Sequence, residues 1–334
     1  MSQSPTNNSS KRILVIGGTG IQGKAVVTAL LTPQEDNGAV SPYSVRVLTR
    51  DSSSEKAQAV ADQGAELVEG RFDDLSAVAA ALEGCYGTFV NTDSFGVGEQ
   101  EEIYAAIKIY EAAHRASVKH FIWSGLDWAS KLGNFDLKYH AVHYEAKGIV
   151  SEFLQSQPSS PSGESLTWTI ITIGPYLENL EGTLLGPLPQ RENGKIVWAT
   201  PVGDGHIPAV SVEDIAWWAR FTFDHRPESS GQNYKIATEL MTIDQLVETF
   251  TRVTGIPAIR KRISMDEFLD VHKDYFENPI VKEEKEDGPT VRETAAAMYR
   301  VWGDDLAKRD MDWVLLLRGF FVGLASFSSS CSFF

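Results

Sequence analysis

Three glycines at intervals of three residues follow the first apolar run of the chain. The segment reads ILVIGGTGIQGKAVV and passes from a strand pattern into an amphipathic helix pattern. In such a turn one glycine allows the tight bend, one lets the backbone approach a pyrophosphate, and one lets the helix pack on the strand. The spacing predicts a dinucleotide site formed by Gly17, Gly18, Thr19, Gly20, Ile21, Gln22 and Gly23.

The end of the second strand pattern bears on which dinucleotide is bound. VRVLTR ends in Arg50, where folds that prefer NAD place an Asp or Glu on the ribose 2′-hydroxyl. A guanidinium suits a 2′-phosphate instead, because it can make paired, charged hydrogen bonds. NADP (NADPH) is therefore the favoured cofactor, with Asp51 and Ser52 beside Arg50, although Asp51 keeps NAD open.

Polar residues recur after the third, fourth and fifth strand patterns, in GRFDD, NTDSF and WSGL. Parallel sheets of this type bind ligands at the carboxyl ends of their strands. The first segment should flank the adenine, with Asp74 as a helix cap, and the second should lie on the nicotinamide side. The expected cofactor contacts here are Arg71, Phe72, Thr92, Asp93, Ser94 and Ser124.

A cluster of titratable side chains opens a later helix pattern, HAVHYEAK. His143 and Tyr144 lie four and three residues before Lys147, so the three share one helix face. An ammonium there could hold the nicotinamide ribose and bias a neighbouring acid. The catalytic candidates are Lys147, His143 and Tyr144, and the candidate apolar walls of a substrate site are Phe95, Trp128 and Trp198.

Short β-rich runs alternate with helical patterns over the first two-thirds of the chain, which is typical of a parallel sheet with crossover helices. The predicted fold is therefore α/β: a Rossmann doubly wound parallel sheet of six strands with a smaller α+β C-terminal lobe. The strands are predicted at 12–16, 45–49, 65–68, 86–91, 118–123 and 167–173. The predicted divisions are a disordered lead-in at 1–11, an NADP-binding domain at 12–175 with parts of 200–225, a substrate lobe at 176–310 and an apolar tail at 311–334.

Composition excludes several classes of function. The 334 residues carry a formal net charge of −15, which disfavours nucleic acid as a partner. Two cysteines cannot build a disulfide framework or a four-ligand zinc site, so no metal is expected and a cytoplasmic location is predicted. The apolar stretch 313–327 is too short and too charged to favour a membrane anchor, and is better suited to a packed helix or a homodimer contact.

Six segments, taken in order, resemble the NmrA-like family of atypical short-chain dehydrogenase/reductases. They are GGTGIQG, VRVLTR, FVNTDSFG, WSGL, HYEAKG and IGPYLENL. The resemblance implies that Lys147 contacts the nicotinamide ribose and that a further segment closes over the nicotinamide end, formed by Tyr176, Leu177, Glu178 and Asn179. His143 stands where the general reductase pattern has a Tyr, and Arg71 stands where the family often has an Asp.

Two functions follow from these expectations. The first is an NADPH-dependent reductase of a small organic C=N (iminium) or C=O substrate, in fungal secondary metabolism as the resemblance implies. A ketone needs a positioned acid to protonate the developing alkoxide, whereas an iminium carbon needs only hydride, so the missing Tyr is tolerated better by C=N. The alternative is a non-catalytic NADP(H)/NAD redox sensor that acts through a protein partner.

Overall fold

A computed structural model describes residues 10–33, 38–162, 165–276, 278, 280 and 290–315. Its strands are β1 (Lys11–Ile16), β2 (Tyr43–Thr49), β3 (Glu66–Glu69), β4 (Gly87–Val90), β5 (His120–Gly125), β6 (Thr167–Thr172), β7 (Ile196–Thr200), β8 (Ile207–Ala209), β9 (Asn233–Lys235), β10 (Glu239–Met241) and β11 (Ala258–Arg262). Its α-helices are α1 (Ile21–Leu31), α2 (Glu55–Ala61), α3 (Leu75–Leu82), α4 (Ser94–Val97), α5 (Glu99–Arg115), α6 (Ala129–Leu132), α7 (Val142–Gln155), α8 (Val212–Asp224), α9 (Arg226–Ser229), α10 (Ile243–Thr254), α11 (Met265–Val271), α12 (Lys273–Phe276) and α13 (Val291–Gly303). Short 3-10 helices cover Leu137–Tyr139 and Leu177–Glu181.

A seven-stranded sheet of order β3-β2-β1-β4-β5-β6-β9 organises the first part of the molecule. The strands from β1 to β6 pair in parallel, with Ile13 opposite Val45 on one side and Gly87 on the other. The order reverses at β1, which is the switch point where doubly wound folds bind ligands. The predicted Rossmann sheet is confirmed, and β9 is an additional strand whose three residues show no apolar run.

Helices bury their apolar stripes against this sheet. Residues of α3, α5 and α7 form one continuous core with the strands, represented by Val78, Ile109, Leu154, Phe121 and Trp123. On α5, the buried positions 105, 106, 109, 112 and 113 recur at helical spacing. The carboxylate of Asp74 accepts the backbone N–H groups of Ser76 and Ala77, and so caps α3 as predicted.

The chain divides into two compact units, each with its own packing. The first contains 1–126, 146–172 and 212–234, and the second contains 127–145, 173–211 and 235–334. Residues 127–145 therefore group with the second unit, whereas the sequence prediction placed them in the first. The roles of the units as cofactor-binding and substrate parts stay a prediction, and most of the predicted tail lies outside the described residues.

The second unit is built from two small sheets and several capped helices. Strand β7 pairs in parallel with β11, and β8 pairs antiparallel with β10. Helix α10 begins with a capping box between Thr242 and Gln245 and ends before Gly255, whose φ is +71°. Within the described residues, no helix has both the length and the apolar character needed to cross a bilayer.

A buried ion network ties together distant parts of the second unit. The Arg309 guanidinium lies 2.8 Å from one carboxylate oxygen of Asp127, and the Lys235 ammonium lies 2.9 Å from the other. Arg309 also donates to the backbone carbonyls of Ile173 and Ile236. Because the Asp127 and Arg309 side chains are at most 1% exposed, each needs the other to compensate its lost hydration.

Candidate functional site

The glycine turn joins β1 to α1 at the switch point of the sheet. Gly17 has φ +81°, and a Cβ there would lie 2.6 Å from the Asn91 carbonyl oxygen. A Cβ at Gly23 would lie 2.1 Å from the Gly17 carbonyl oxygen. Glycine at these two positions is therefore required by the protein's own backbone.

Gly20 differs from Gly17 and Gly23 in its surroundings. Its φ of −79° and ψ of 169° lie in the extended region that any residue adopts. An added Cβ would meet only the Gly17 carbonyl oxygen, at an ordinary 3.4 Å. No side chain caps α1, so its first N–H groups keep the anion-binding capacity of a helix N-terminus.

Gln22 and Ser124 meet beneath this turn. The Gln22 side-chain amide donates to the Ser124 hydroxyl over 2.7 Å, and both residues are at most 1% exposed. The structure thus brings together two predicted cofactor residues from α1 and the end of β5. Their hydrogen bond fixes the end of β5 against the glycine turn, and direct contact with a cofactor stays a prediction.

Arg50 ends β2 in an exposed position, as the sequence pattern requires for a cofactor contact. The neighbouring Asp51 accepts the backbone N–H and the hydroxyl of Ser53, and these hydrogen bonds lower the pKa of its carboxyl. The Ser52 hydroxyl donates to Glu69 at the end of β3. The acidic neighbours of Arg50 thus have hydroxyl partners of their own, Asp51 with Ser53 and Glu69 with Ser52.

The third strand end presents a second arginine, but one that is already paired. The Arg71 guanidinium donates to both carboxylate oxygens of Asp73, over 2.8 and 2.7 Å. This bidentate pair lowers the pKa of Asp73, to which the nearby charge of Arg50 also contributes. Phe72 is partly buried against the core of the first unit.

Lys147 reaches the end of β4 from α7, while its contact with a nicotinamide ribose stays a prediction. Its ammonium lies 3.1 Å from the Thr92 carbonyl oxygen, and 3.3 Å from both the Thr92 hydroxyl and the Asn91 side-chain oxygen. The carboxylate of Glu102 lies 3.1 Å away. The hydroxyls of Thr92 and Ser94 both donate to that carboxylate, while the exposed Asp93 caps α4. Sequence reasoning missed Glu102.

The two other catalytic candidates lie in the second unit. The His143 ring is partly exposed and lies 4.8 Å from the ring of Tyr144, measured between centroids. Tyr144 is only 3% exposed, and its burial, reinforced by the charge of Asp127, raises the pKa of its hydroxyl. A phenol with a raised pKa is a weak proton donor, so the structure disfavours Tyr144 as the acid.

Comparison with known proteins shows which family the chain belongs to. The NmrA-like family profile matches residues 9–303 of the chain. The NmrA-like family domain-containing oxidoreductase malD of Malbranchea aurantiaca is 32% identical over an alignment of 288 residues that covers 80% of each protein. The chain belongs to the NmrA-like family.

Solved structures show the same fold at low sequence identity. NmrA, a negative transcriptional regulator, superimposes with a TM-score of 0.70 at 18% identity, over 96% of this chain and 93% of that one. The triphenylmethane reductase of Citrobacter sp., crystallised with NADP(H), gives a TM-score of 0.66 at 19% identity, over 92% and 95%. NmrA-like chains thus share one architecture with both a regulator and a reductase.

The NmrA-like segment that follows β6 lies in the second unit. Tyr176 precedes the 3-10 helix that contains Leu177, Glu178 and Asn179, and the Leu177 backbone N–H donates to the Val210 carbonyl oxygen. Burial, with a further contribution from the charge of Glu178, raises the pKa of Tyr176 to about 12. The contact of this segment with a cofactor stays a prediction.

The three candidate substrate residues differ in accessibility. Phe95 is 41% exposed at the start of α4. Trp128 is partly buried, its indole N–H donating to Glu145 over 2.6 Å and its ring packing edge-on against Phe135. Trp198 is only 2% exposed, donates to the Leu185 carbonyl oxygen and packs on Phe250, so the structure makes it a core residue rather than an accessible wall.

One sequence signal could have identified Glu102. It lies three, four and seven residues before Ala105, Ala106 and Ile109, on the buried stripe of α5, where an apolar residue is expected. A carboxylate on such a stripe needs buried donors. Among the described residues, no group of three or more His, Cys, Asp or Glu side chains is arranged to hold a metal ion.

Proposed function

We propose that this NmrA-like chain is an NADPH-dependent oxidoreductase that reduces a small organic substrate. The observation that carries the proposal is the glycine turn. Two of its glycines are required by the protein's own backbone, whereas Gly20 has room for a side chain and ordinary dihedrals. A pyrophosphate lying over Gly20 and the uncapped start of α1 explains why a glycine stands there.

The exposed arginine at the end of β2 supports NADPH over NADH. Arg50 forms no hydrogen bond or ion pair with the described part of the chain, whereas Arg71 is held by Asp73. A phosphate on the 2′ position would give the Arg50 guanidinium the partner that suits its geometry. The reductase crystallised with NADP(H) supports the same assignment, and the relative named as an oxidoreductase supports a redox function.

Replacement of Arg50 by Ala is expected to weaken NADPH binding by roughly 1.5 to 3 kcal/mol, the value of a hydrogen bond to a charged group. NADH lacks the 2′-phosphate, so its affinity should change little. Titration of tryptophan fluorescence with each cofactor measures both constants. Arg115→Ala, at the exposed end of α5, removes the same charge as a control. Equal losses for NADPH and NADH would exclude Arg50 from the 2′-phosphate.

The chemistry of the site favours a C=N substrate within this proposal. When bound, NADPH supplies a hydride. A C=O substrate also needs a proton at its oxygen, but Tyr144 is buried with a raised pKa, and the N–H groups of Lys147 face four protein acceptors. His143 remains the candidate acid for C=O, whereas an iminium requires none.

The same lack of an obvious acid favours the second candidate function, a sensor that binds NADP(H) without turnover and acts through a protein partner. A panel of imines, ketones and enones, followed by loss of NADPH absorbance, separates the two. The reductase proposal expects turnover, fastest on an imine. Tight NADPH binding with turnover on no member of the panel would favour the sensor.

A further inference from the structure

We propose that Glu102 is the positioning residue of the cofactor site, acting through Lys147, Thr92 and Ser94. The inference rests on the proposed function, because it concerns the same dinucleotide site. Glu102 is fully buried on α5. One of its carboxylate oxygens accepts from the Thr92 hydroxyl and pairs with the Lys147 ammonium, and the other accepts from the Ser94 hydroxyl.

The carboxylate is buried at a cost that these three donors offset. An isolated charge in a protein interior is strongly unfavourable unless it is paired and hydrogen-bonded. Here an ammonium and two hydroxyls reach it from α7 and from the segment that follows β4. The neighbouring buried positions of α5 are apolar, such as Ala105 and Ile109, so packing alone does not call for a charge at 102.

Glu102 determines where the Lys147 ammonium sits. That group has three N–H donors and four acceptors within 3.3 Å: two oxygens of Thr92, one of Asn91 and one of Glu102. Of these four acceptors, Glu102 alone carries a negative charge. Without that charge the neutral oxygens hold the ammonium less tightly, and Lys147 moves from the end of β4.

Glu102 also determines the direction of the hydrogen bonds that the Thr92 and Ser94 hydroxyls make. A carboxylate only accepts hydrogen bonds, so Thr92 and Ser94 each donate their single O–H group to Glu102. Their remaining capacity is to accept. The Thr92 oxygen already takes one from Lys147, and the Ser94 oxygen can take one from a donor. A ligand group that binds beside Ser94 should therefore be a hydrogen-bond donor, such as a ribose hydroxyl or a carboxamide N–H.

The test is Glu102→Gln, with Glu101→Gln as the matched control. Both changes remove one negative charge from the same turn of α5, but residue 101 is exposed. Gln keeps one acceptor oxygen and places an NH2 donor at the other position, so one of the two hydroxyls, Thr92 or Ser94, loses its acceptor. Lys147 also loses its charged partner, so NADPH affinity should fall by roughly tenfold to hundredfold. The control should stay within about twofold of wild type, since an exposed charge contributes little. The affinity is measured by fluorescence titration.

A double-variant cycle shows whether Glu102 acts through Lys147. Lys147→Met removes the ammonium, and Glu102→Gln added to it should then cost clearly less than in the wild type, because interacting residues are not additive. The loss that remains is the part that acts through Thr92 and Ser94. The same cycle is measured without cofactor, on the thermal unfolding midpoint. Coupling between the two changes is expected in both measurements.

Three results overturn the inference. The first is an equal NADPH affinity for Glu102→Gln and Glu101→Gln. The second is additivity of the Glu102→Gln and Lys147→Met effects in the cycle. The third is a Glu102→Gln variant with a lowered unfolding midpoint and unchanged NADPH affinity, which would make Glu102 merely structural. Absence of NADPH binding by the wild type would overturn the proposed function itself. Tight wild-type binding with an unaffected Glu102→Gln variant would overturn only the inference.

Discussion

A valine at Gly20 is expected to abolish NADPH binding and leave the protein folded. The isopropyl group fits the extended dihedrals and the open side of the turn, where an added Cβ meets only one atom at 3.4 Å. It would occupy the space that the pyrophosphate needs beside the start of α1. Loss of several charge-assisted hydrogen bonds, each of about 1.5 to 3 kcal/mol, should weaken affinity by roughly a hundredfold or more.

Gly20→Ala and Gly23→Ala serve as controls for this prediction. Gly20→Ala should give a smaller loss of the same kind. Gly23→Ala should instead lower the thermal unfolding midpoint, because its Cβ would lie 2.1 Å from the Gly17 carbonyl oxygen. Circular dichroism separates loss of fold from loss of binding. A folded Gly20→Val variant with wild-type affinity for NADPH would contradict the proposed pyrophosphate position.

The positions of Gly17, Gly23 and Lys147 could be anticipated because local rules decide them. Glycine is needed where the backbone has positive φ or a close approach, and both follow from a strand running into a helix at fixed spacing. Lys147 follows from the helical face and the parallel order of the strands. The two glycine positions depend on a few neighbouring residues, and Lys147 depends on a helical face and a regular strand order, so one sequence is sufficient to predict them.

Other features depend on pairings that are distant along the chain. Glu99, Glu101 and Glu102 are alike as acidic residues of one helix turn, yet only the last pairs with Lys147, which belongs to a different helix. The sequence predicts Trp198 as an apolar wall of a substrate site, but in the structure β7 buries it in a core. The apolar stripe of α5 indicates that position 102 is buried but not which donors it meets, and nothing local to Trp198 distinguishes a surface position from a buried one.

Arg309 is the clearest case of such a distant pairing, and its replacement is expected to be costly. It lies beyond residues 9–303, which the NmrA-like profile matches. Arg309→Met should lower the free energy of unfolding by about 3–5 kcal/mol, the range for breaking a buried ion pair. The reason is that the Asp127 side chain, 1% exposed, would keep only Lys235 as a charged partner. The guanidinium would also be lost as a donor to four backbone carbonyls, those of Ile173, Ile236, Ala307 and Lys308.

Two comparisons distinguish this loss from a general effect of removing an arginine. Arg292→Met breaks the Arg292–Asp270 pair on the surface of the same unit and should cost no more than about 1 kcal/mol. Asp127→Asn combined with Arg309→Met should recover part of the stability, because no buried carboxylate then lacks compensation. Urea unfolding measures all of these variants.

The pH dependence of the unfolding free energy tests the role of the Arg309–Asp127 pair most directly. Burial raises the pKa of Asp127, but the charges of Arg309 and Lys235 outweigh that effect and hold it below its usual value. In the wild type the carboxylate therefore contributes stability above its unfolded pKa of about 3.9, and that contribution is lost as the pH falls through the lower folded pKa. In Arg309→Met, burial is opposed by Lys235 alone, so the folded pKa rises and protonation becomes less unfavourable to the fold. The difference in unfolding free energy between the two proteins should be largest near neutral pH and shrink on acidification toward about pH 4. A difference that is constant over this range would show that the Arg309–Asp127 charge pair is not its cause.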